Sequence, residues 1–291
     1  MLSIGCAREA AEPPQAEVES RPLSVCVSIP PQAFLVEQIG GERVAIEVLV
    51  GSGQSPATYD LTPAQMAALD DADVYFRIGV PFEDALVERI AASMPDLNVV
   101  DLRDGIELQP IGEHAEEDDG HGHGRMDPHT WLDPRLVAIQ AETVRAELAR
   151  LDPGSSHGFG ANATALLSDL AHLDLQIEEL LRPAEGRKMF VFHPSFGYFC
   201  RAYGLDQVAI EVSGREPGPR ELQAIVEAAR ADNVTAIFVQ REFSDASARA
   251  LAADIGARIV TLDPLSGDYV ANFREMAQTV RDELVGPGDG G

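Results

Sequence analysis

The amino-acid sequence predicts an α/β protein of two lobes, each built on a parallel sheet flanked by helices and joined to the other by one long rigid helix. Two observations lead to this fold class. Short apolar stretches alternate with amphipathic ones in the order β-α-β-α, which is typical of parallel sheets covered by helices. This order occurs twice, before and after a pair of long helical patterns in the 291-residue chain, and that length accommodates two domains.

The repeated order divides the chain into segments. We predict a signal remnant or tether over residues 1–22, an N-terminal α/β lobe over 23–153, a linking helix over 154–183 and a C-terminal α/β lobe over 184–291. Residues 113–124 are polar and low in complexity, and we expect a flexible loop there within the N-terminal lobe.

Turn and cap residues mark where helices begin in the N-terminal lobe. Pro31 suits the first turn of its first helix. Thr62 and Pro63 provide the cap and the first turn of its second helix. Between such signals, the apolar stretches predict strands at residues 23–29, 44–50, 74–78 and 98–102.

Two long amphipathic helices follow. Asp133 caps the first, with Pro134 in its first turn, and the second ends by Pro183. We interpret the second as the linking helix and expect it to act as a rigid spacer. Apolar residues at 4-3-4-3 spacing give each helix one buried face, and these residues are Val137, Ala141, Val144, Leu148 and Leu151 in the first and Leu166, Leu170, Leu173, Ile177 and Leu180 in the second.

The C-terminal lobe begins near Lys188, the only lysine of the chain. A final helix carries Phe273, Met276 and Val280 on one face. The apolar stretches of this lobe predict strands at residues 189–192, 208–212, 236–239 and 259–262.

The charge of the chain narrows the classes of function. Its 22 basic and 48 acidic residues give a net charge of −26, which argues against nucleic-acid binding because that needs a basic face. Such acidity attracts cations, and it is also typical of a highly soluble surface. The GxxxxGK[ST] and HExxH motifs are absent from the sequence, so it carries neither the phosphate-binding signature of P-loop nucleotide hydrolases nor the common zinc-protease signature.

The three cysteines differ in context. Residues 1–6 resemble the end of a bacterial lipoprotein signal, and we expect Cys6 to be lipidated and the protein to be periplasmic or held at the cell surface. The positively charged start of such a signal is missing, so chance similarity stays an alternative. Cys26 lies in a predicted strand and Cys200 in a predicted helix, where each suits a small buried residue. A bond between these two is left open by the sequence.

His129 is the candidate ligand of the N-terminal lobe. It lies between Pro128 and Pro134, and proline restricts both its own backbone and that of the preceding residue. The stretch also holds the only tryptophan, Trp131. Just before it, the polar loop offers three further histidines that suit weak metal binding or a solvated surface, namely His114, His121 and His123.

His193 and Asp263 are the candidates of the C-terminal lobe. Each follows a predicted parallel strand and precedes a proline, and ligands in open α/β sheets bind outside the carboxyl ends of the strands. Two imidazoles and a carboxylate suit Zn²⁺ better than Ca²⁺ or Mg²⁺, which prefer oxygen ligands. The alternatives are a hydrogen-bonding structural histidine and an aspartate that caps a helix.

Four motifs together carry a resemblance to a known family. In order along the chain, the motifs are Ser55-Pro56-Ala57-Thr58-Tyr59-Asp60-Leu61-Thr62-Pro63, the stretch 127–134, Val191-Phe192-His193-Pro194-Ser195-Phe196-Gly197-Tyr198 and Thr261-Leu262-Asp263-Pro264-Leu265. With the acidic histidine-containing loop, they resemble the substrate-binding components of bacterial ABC transporters for zinc and manganese, the cluster A-I or TroA-like proteins. The resemblance spans residues 23 to about 284.

The resemblance implies a metal ion held between two lobes by His129, His193 and Asp263. It implies zinc as the ion, because manganese-type members tend to carry glutamate at the position of His193, and Mn²⁺ is the alternative. It also implies a membrane permease of an ABC transporter as the partner, and we expect a monomer.

One position departs from the family pattern. The family usually has a histidine directly after the proline of the first motif, where this chain has Ala57. Water, Gln54, Asp60 or a histidine of the polar loop could take the fourth position. The departure leaves two alternatives to zinc delivery. One is an adhesin or a binding protein for another metal or a non-metal ligand, and the remote one is a hydrolase, because catalytic zinc also has three protein ligands and water.

Overall fold

The computed structural model describes residues 21–111, 126–211, 218–242 and 246–286, and the predicted two-lobed α/β architecture is confirmed in them. The strands are β1 (Leu23–Val27), β2 (Val44–Val48), β3 (Val74–Arg77), β4 (Val99–Asp101), β5 (Lys188–Val191), β6 (Asp206–Ala209), β7 (Ala236–Gln240) and β8 (Arg258–Leu262). The helices are α1 (Pro30–Gly40), α2 (Pro63–Asp70), α3 (Phe82–Ser93), α4 (Pro134–Leu151), α5 (Ser156–Leu181), α6 (Gly197–Ala202), α7 (Pro219–Ala231), α8 (Ala246–Ile255) and α9 (Tyr269–Val285).

The two sheets share one topology. Each has four parallel strands, in the order β2-β1-β3-β4 in the N-terminal lobe and β6-β5-β7-β8 in the C-terminal lobe. In both sheets the strand order reverses beside the first strand of the lobe, and such switch points are where open α/β sheets bind ligands. The fold therefore predicts that a ligand site lies at the carboxyl ends of β1 and β5.

Strand β6 differs most from its prediction. It begins at Asp206, two residues earlier than the apolar pattern indicated, and ends at Ala209 rather than residue 212. The polar residues Asp206 and Gln207 pair with β5, which a search for apolar residues overlooks. Beyond the strand, two further bonds continue the ladder, because the backbone N–H groups of Ile210 and Glu211 donate to β5 and the residue after it.

The linking helix is shorter than predicted and is part of the core. The predicted span 154–183 contains a short 3₁₀ turn, then α5, then a second 3₁₀ turn. Helix α5 packs against α1 and α4 of the N-terminal lobe and against α9 of the C-terminal lobe. Its buried face includes the predicted Leu166, Leu170, Leu173 and Ile177. One apolar core therefore runs through both lobes along α5, and the domain bounds themselves stay a prediction.

The two cysteines in the described residues lie apart and are free thiols. Cys26 is buried in β1 and Cys200 in α6, so the bond that the sequence left open is not formed. Burial raises the pKa of Cys26 to about 12, and burial also raises the pKa of Cys200. Neither thiol is therefore a reactive thiolate at neutral pH. Cys6 lies outside the described residues. Among the helices that the structure describes, none is both long and apolar enough to cross a bilayer.

Candidate metal site

His129 is fixed by its own loop. It directly precedes a short 3₁₀ helix formed by Thr130, Trp131 and Leu132. Asp127, which is 1% exposed, accepts a hydrogen bond from the His129 backbone N–H at 2.9 Å. The same oxygen, Oδ1, lies 2.6 Å from His129 Nδ1. The carboxylate of Asp127 thus holds both the backbone and the ring of His129.

The loop of His129 is also held by the opposite lobe. The Tyr198 hydroxyl in α6 donates to the Asp127 backbone oxygen at 3.1 Å and accepts from the Gln109 backbone N–H at 3.2 Å. Next to it, Gly197 lies so close that a Cβ there would be 2.8 Å from Asp127 Oδ2 and 2.9 Å from Gln109 Nε2. Any larger residue at the start of α6 would have to displace these two side chains of the opposite lobe.

His193 follows β5 and faces His129. The two imidazole rings have centroids 5.5 Å apart and planes at 74°. His193 Nδ1 lies 2.5 Å from Glu211 Oε2. Burial lowers the pKa of His193, the bond to Glu211 opposes this, and the charge of His129 lowers the pKa further. The neutral form, which is the form that binds metals, is favoured.

Asp263 follows β8 and has partners of its own. Its Oδ1 accepts from the Leu265 backbone N–H at 3.2 Å, as in a helix cap or turn, and its Oδ2 lies 3.5 Å from Arg241 Nη1. The Asn272 side chain donates to the Asp263 backbone oxygen at 2.7 Å. Burial first, and then the charge of Asp263, raises the pKa of Glu242 to about 7.

The structure pairs two of the three predicted ligands. His129 and His193 meet across the lobes, whereas in the described ranges no group of three His, Cys, Asp or Glu side chains is arranged to hold a metal ion. Asp263 therefore does not form a set of three with the two histidines in this conformation.

The auxiliary candidates are placed as follows. Gln54 is exposed and accepts a hydrogen bond from the Gly51 backbone N–H at 2.9 Å, and Asp60 and Ala57 are exposed in the same region. The three histidines of the polar loop, His114, His121 and His123, lie outside the described residues.

Two carboxylates at the site were missed as functional residues. The sequence could have indicated a role for Asp127, since it lies two residues before His129 in the same motif. Glu211 had no such indication, because it fell inside the apolar pattern that predicted a strand over 208–212. Only the pairing of β6 with β5 brings Glu211 beside His193.

The fold and the paired histidines define the class to which the chain belongs, the two-lobed α/β binding proteins with a long central helix. The model of the family described as zinc-uptake complex component A, periplasmic, matches residues 25–283. The chain belongs to this family.

Three relatives illustrate the similarity. The high-affinity zinc uptake system protein ZnuA of Paracoccus denitrificans is 30% identical over 320 aligned positions, covering 94% of this chain and 94% of the relative. The manganese-binding lipoprotein MntA of Halalkalibacterium halodurans is 29% identical over 263 positions, covering 89% and 83%. A zinc-bound crystal structure of a ZnuA deletion mutant superposes with a TM-score of 0.84 at 38% identity, covering 90% and 98%.

Proposed function

We propose that this protein binds zinc between its two lobes and delivers it to the membrane permease of an ABC transporter. The proposed ligands are His129, His193 and Asp263. Membership of a periplasmic zinc-uptake family supports the role, and the role of a solute-binding protein requires no catalytic residue. We further propose that the protein acts as a monomer and is anchored through a lipid on Cys6.

The observation that carries the proposal is the spacing of the two histidines. Two imidazoles on one tetrahedral zinc ion have ring centroids about 5 Å apart, because each Zn–N bond is about 2.0–2.1 Å long. The rings of His129 and His193 are 5.5 Å apart. The spacing of the two rings therefore suits a single zinc ion bound between them.

Asp263 joins this pair in the proposed zinc-bound form. Its carboxylate now lies 3.5 Å from Arg241 Nη1, and the Arg241 side chain is largely exposed. An ion pair with an exposed arginine is weak, so a zinc ion can replace Arg241 as the partner of Asp263. With Ala57 in place of a histidine, a water molecule is the proposed fourth ligand.

Calorimetry on the metal-stripped protein tests the proposal. We expect one zinc ion per chain, with binding lost in His129→Ala and in His193→Ala and weakened in Asp263→Ala. His157 and His172 lie exposed on α5, so His157→Ala and His172→Ala are matched controls that should leave zinc binding unchanged.

The opposite results are equally clear. If the folded protein takes up no zinc at micromolar concentration, the proposal is wrong, and the adhesin or non-metal binding protein becomes the better reading. Turnover of ester or phosphate substrates that depends on added zinc would instead favour the hydrolase.

Manganese is the second candidate ion, because MntA is described as manganese-binding and is 29% identical to this chain. Two imidazole ligands favour Zn²⁺ over Mn²⁺, since Mn²⁺ stands lowest in the affinity order and prefers oxygen. We therefore expect zinc to displace manganese in a competition titration, and displacement in the other direction would reverse the assignment.

A further inference from the structure

We infer that Glu211 is a positioning residue that orients His193 for metal binding. This inference rests on the proposed role of His193 as a ligand. Glu211 lies outside the predicted set of metal ligands. It belongs to the C-terminal lobe, whereas Ala57, the position of the missing histidine, belongs to the N-terminal lobe.

The contact between Glu211 and His193 is close and partly shielded from water. Glu211 Oε2 lies 2.5 Å from His193 Nδ1, and the two side chains are only 12% and 15% exposed. A carboxylate at this position accepts a hydrogen bond from the proton-bearing nitrogen of a neutral imidazole. The lone pair of the ring is then on Nε2, the nitrogen that can bind a metal ion.

The backbone holds Glu211 in register with His193. The Glu211 N–H donates to the Phe192 carbonyl oxygen at 2.9 Å, and the Ile210 N–H donates to the Val191 carbonyl oxygen at 2.9 Å. These bonds extend the pairing of β6 with β5 up to the residue before His193. The carboxylate is therefore supplied by a rigid sheet edge, as precise positioning of a ligand requires.

His129 also has a carboxylate beside its Nδ1, but that carboxylate comes from a loop and not from a neighbouring strand. Asp127 Oδ1 lies 2.6 Å from His129 Nδ1 and comes from the loop of His129 itself. Glu211, in contrast, is 18 residues from His193 in sequence. Each of the two rings thus has a carboxylate beside its Nδ1, supplied by a loop for His129 and by a strand end for His193. A bond that only stabilised one loop would not explain this recurrence.

The chemistry of such a contact favours zinc binding. A carboxylate on Nδ1–H fixes the tautomer and raises the basicity of Nε2, and removal of such a partner typically weakens metal binding by about 10–100-fold. The effect is important here because Ala57 supplies no donor, so the two imidazoles must provide more of the affinity.

Nitrogen NMR of the metal-free protein tests the inference directly. At pH 8 an ordinary imidazole, with a pKa near 6.5, is neutral, and the ¹⁵N shifts then report which ring nitrogen carries the proton. We expect His193 to carry it on Nδ1 in the native protein and to move it toward Nε2 in Glu211→Ala. Glu211→Gln keeps an acceptor oxygen and should preserve the native tautomer.

Zinc calorimetry on the same variants provides the second measurement. We expect the Kd for zinc to rise about 10–100-fold in Glu211→Ala and less in Glu211→Gln. Glu179→Ala is the matched control, because the Glu179 side chain is 81% exposed on α5, and it should change neither the tautomer nor the affinity. Circular dichroism verifies that each variant is folded.

The outcomes separate this inference from the proposed function. An unchanged His193 tautomer and an unchanged zinc Kd in Glu211→Ala would overturn the inference. Complete loss of zinc binding in both Glu211 variants, with the tautomer retained, would also overturn it, since Glu211 would then be a ligand. If the native protein binds no zinc but Glu211→Ala still shifts the tautomer, the proposed function fails while the orienting contact stands.

Discussion

Gly197 lies directly against the opposite lobe beside the candidate site. Its missing side chain leaves room for the Asp127 carboxylate and the Gln109 amide. Asp127 in turn holds the backbone and the ring of His129. The size of residue 197 is therefore linked to the orientation of a proposed ligand on the other lobe.

We expect Gly197→Ala to weaken zinc binding by about 10-fold, because a methyl group 2.8 Å from Asp127 Oδ2 would displace the carboxylate that orients His129. Overpacking at this contact should also lower the free energy of unfolding by about 1 kcal/mol or more. Calorimetry and urea unfolding measure the two effects.

Gly158 provides the matched control for this change. It lies in α5, and a Cβ there would meet no other atom within 4 Å. Gly158→Ala should leave zinc binding unchanged and stabilise the fold by about 0.5–1 kcal/mol, because alanine is the better helix former. Equal zinc affinities in Gly197→Ala and the native protein would show that Asp127 tolerates the added methyl group.

The sequence predicted a site residue only where a side chain that can bind metal lies at a recognisable position, such as a restrained loop or the end of a strand. His129 and His193 were predicted because a restrained loop and a strand end each carry an imidazole, and the structure brings these two together. Glu211 could not be predicted, because its role depends on which strand lies next to β5. The link from Asp263 to the histidine pair is still a prediction.

Asp152 holds the junction of the two long helices, α4 and α5. It follows α4 and caps the 3₁₀ turn before α5, where the Ser155 hydroxyl donates to its Oδ2 at 2.7 Å. Arg43, in the connection between α1 and β2, donates to the same oxygen at 2.6 Å. The hydrogen bond from Arg43 and then that from Ser155 lower the pKa of Asp152.

A carboxyl whose pKa is lower in the folded state stabilises the fold above its unfolded pKa of about 3.9. That stability is lost as the pH falls through the folded pKa. We therefore expect Asp152→Asn to lower the free energy of unfolding by about 1 kcal/mol at pH 7 and by less at pH 3. Urea unfolding at the two pH values measures the difference.

Asp169 is exposed on α5, and Asp169→Asn is the control, with an expected change within about 0.5 kcal/mol. A loss in Asp152→Asn that is the same at pH 7 and pH 3 would assign the effect to the altered hydrogen bonds rather than to the charge.

The sequence predicted elements well where one face is apolar and less well where polar residues are buried. The linking helix was found from its 4-3-4-3 spacing, but the start of β6 was missed because Asp206 and Gln207 are polar. Glu83 of α3 was not expected in the interior. It is fully buried, and it accepts hydrogen bonds from Ser28 and the Gly79 N–H at the ends of β1 and β3. Such partners come from distant parts of the chain.

The packing of α5 and the hydrogen bonds beside the site both hold the two lobes together. Helix α5 packs on α1 and α4 and also on α9, a set of contacts that its own apolar spacing could not specify. Near the site, the Trp131 indole donates to the Pro264 carbonyl oxygen at 2.8 Å. The Tyr269 hydroxyl donates back to the Trp131 carbonyl oxygen at 2.9 Å. The motif of His129 is thereby tied to the segment that carries Asp263.

These contacts predict a small motion on zinc binding. Since a large rotation of the lobes would break the bonds of Trp131 and repack α5, we expect the radius of gyration of the native protein to change by less than about 1 Å between the metal-free and zinc-bound states. X-ray scattering in solution measures this change, and a clearly larger one would contradict the idea that α5 holds the lobes rigidly.

Trp131→Phe tests which contact limits the motion. Phenylalanine keeps an aromatic ring in the core but removes the indole N–H, so the bond to Pro264 is lost. We expect a larger difference in radius between the two states and weaker zinc binding, because Asp263 is then less well placed. Tyr59→Phe removes a hydroxyl that donates to Gln65 at 3.0 Å within the N-terminal lobe, and it should alter neither quantity. If Trp131→Phe behaves in the same way as Tyr59→Phe, the lobes are fixed without the indole bond, by the packing of α5 and by the contacts of Tyr198. The tryptophan of the motif then serves only the local fold of the loop that presents His129.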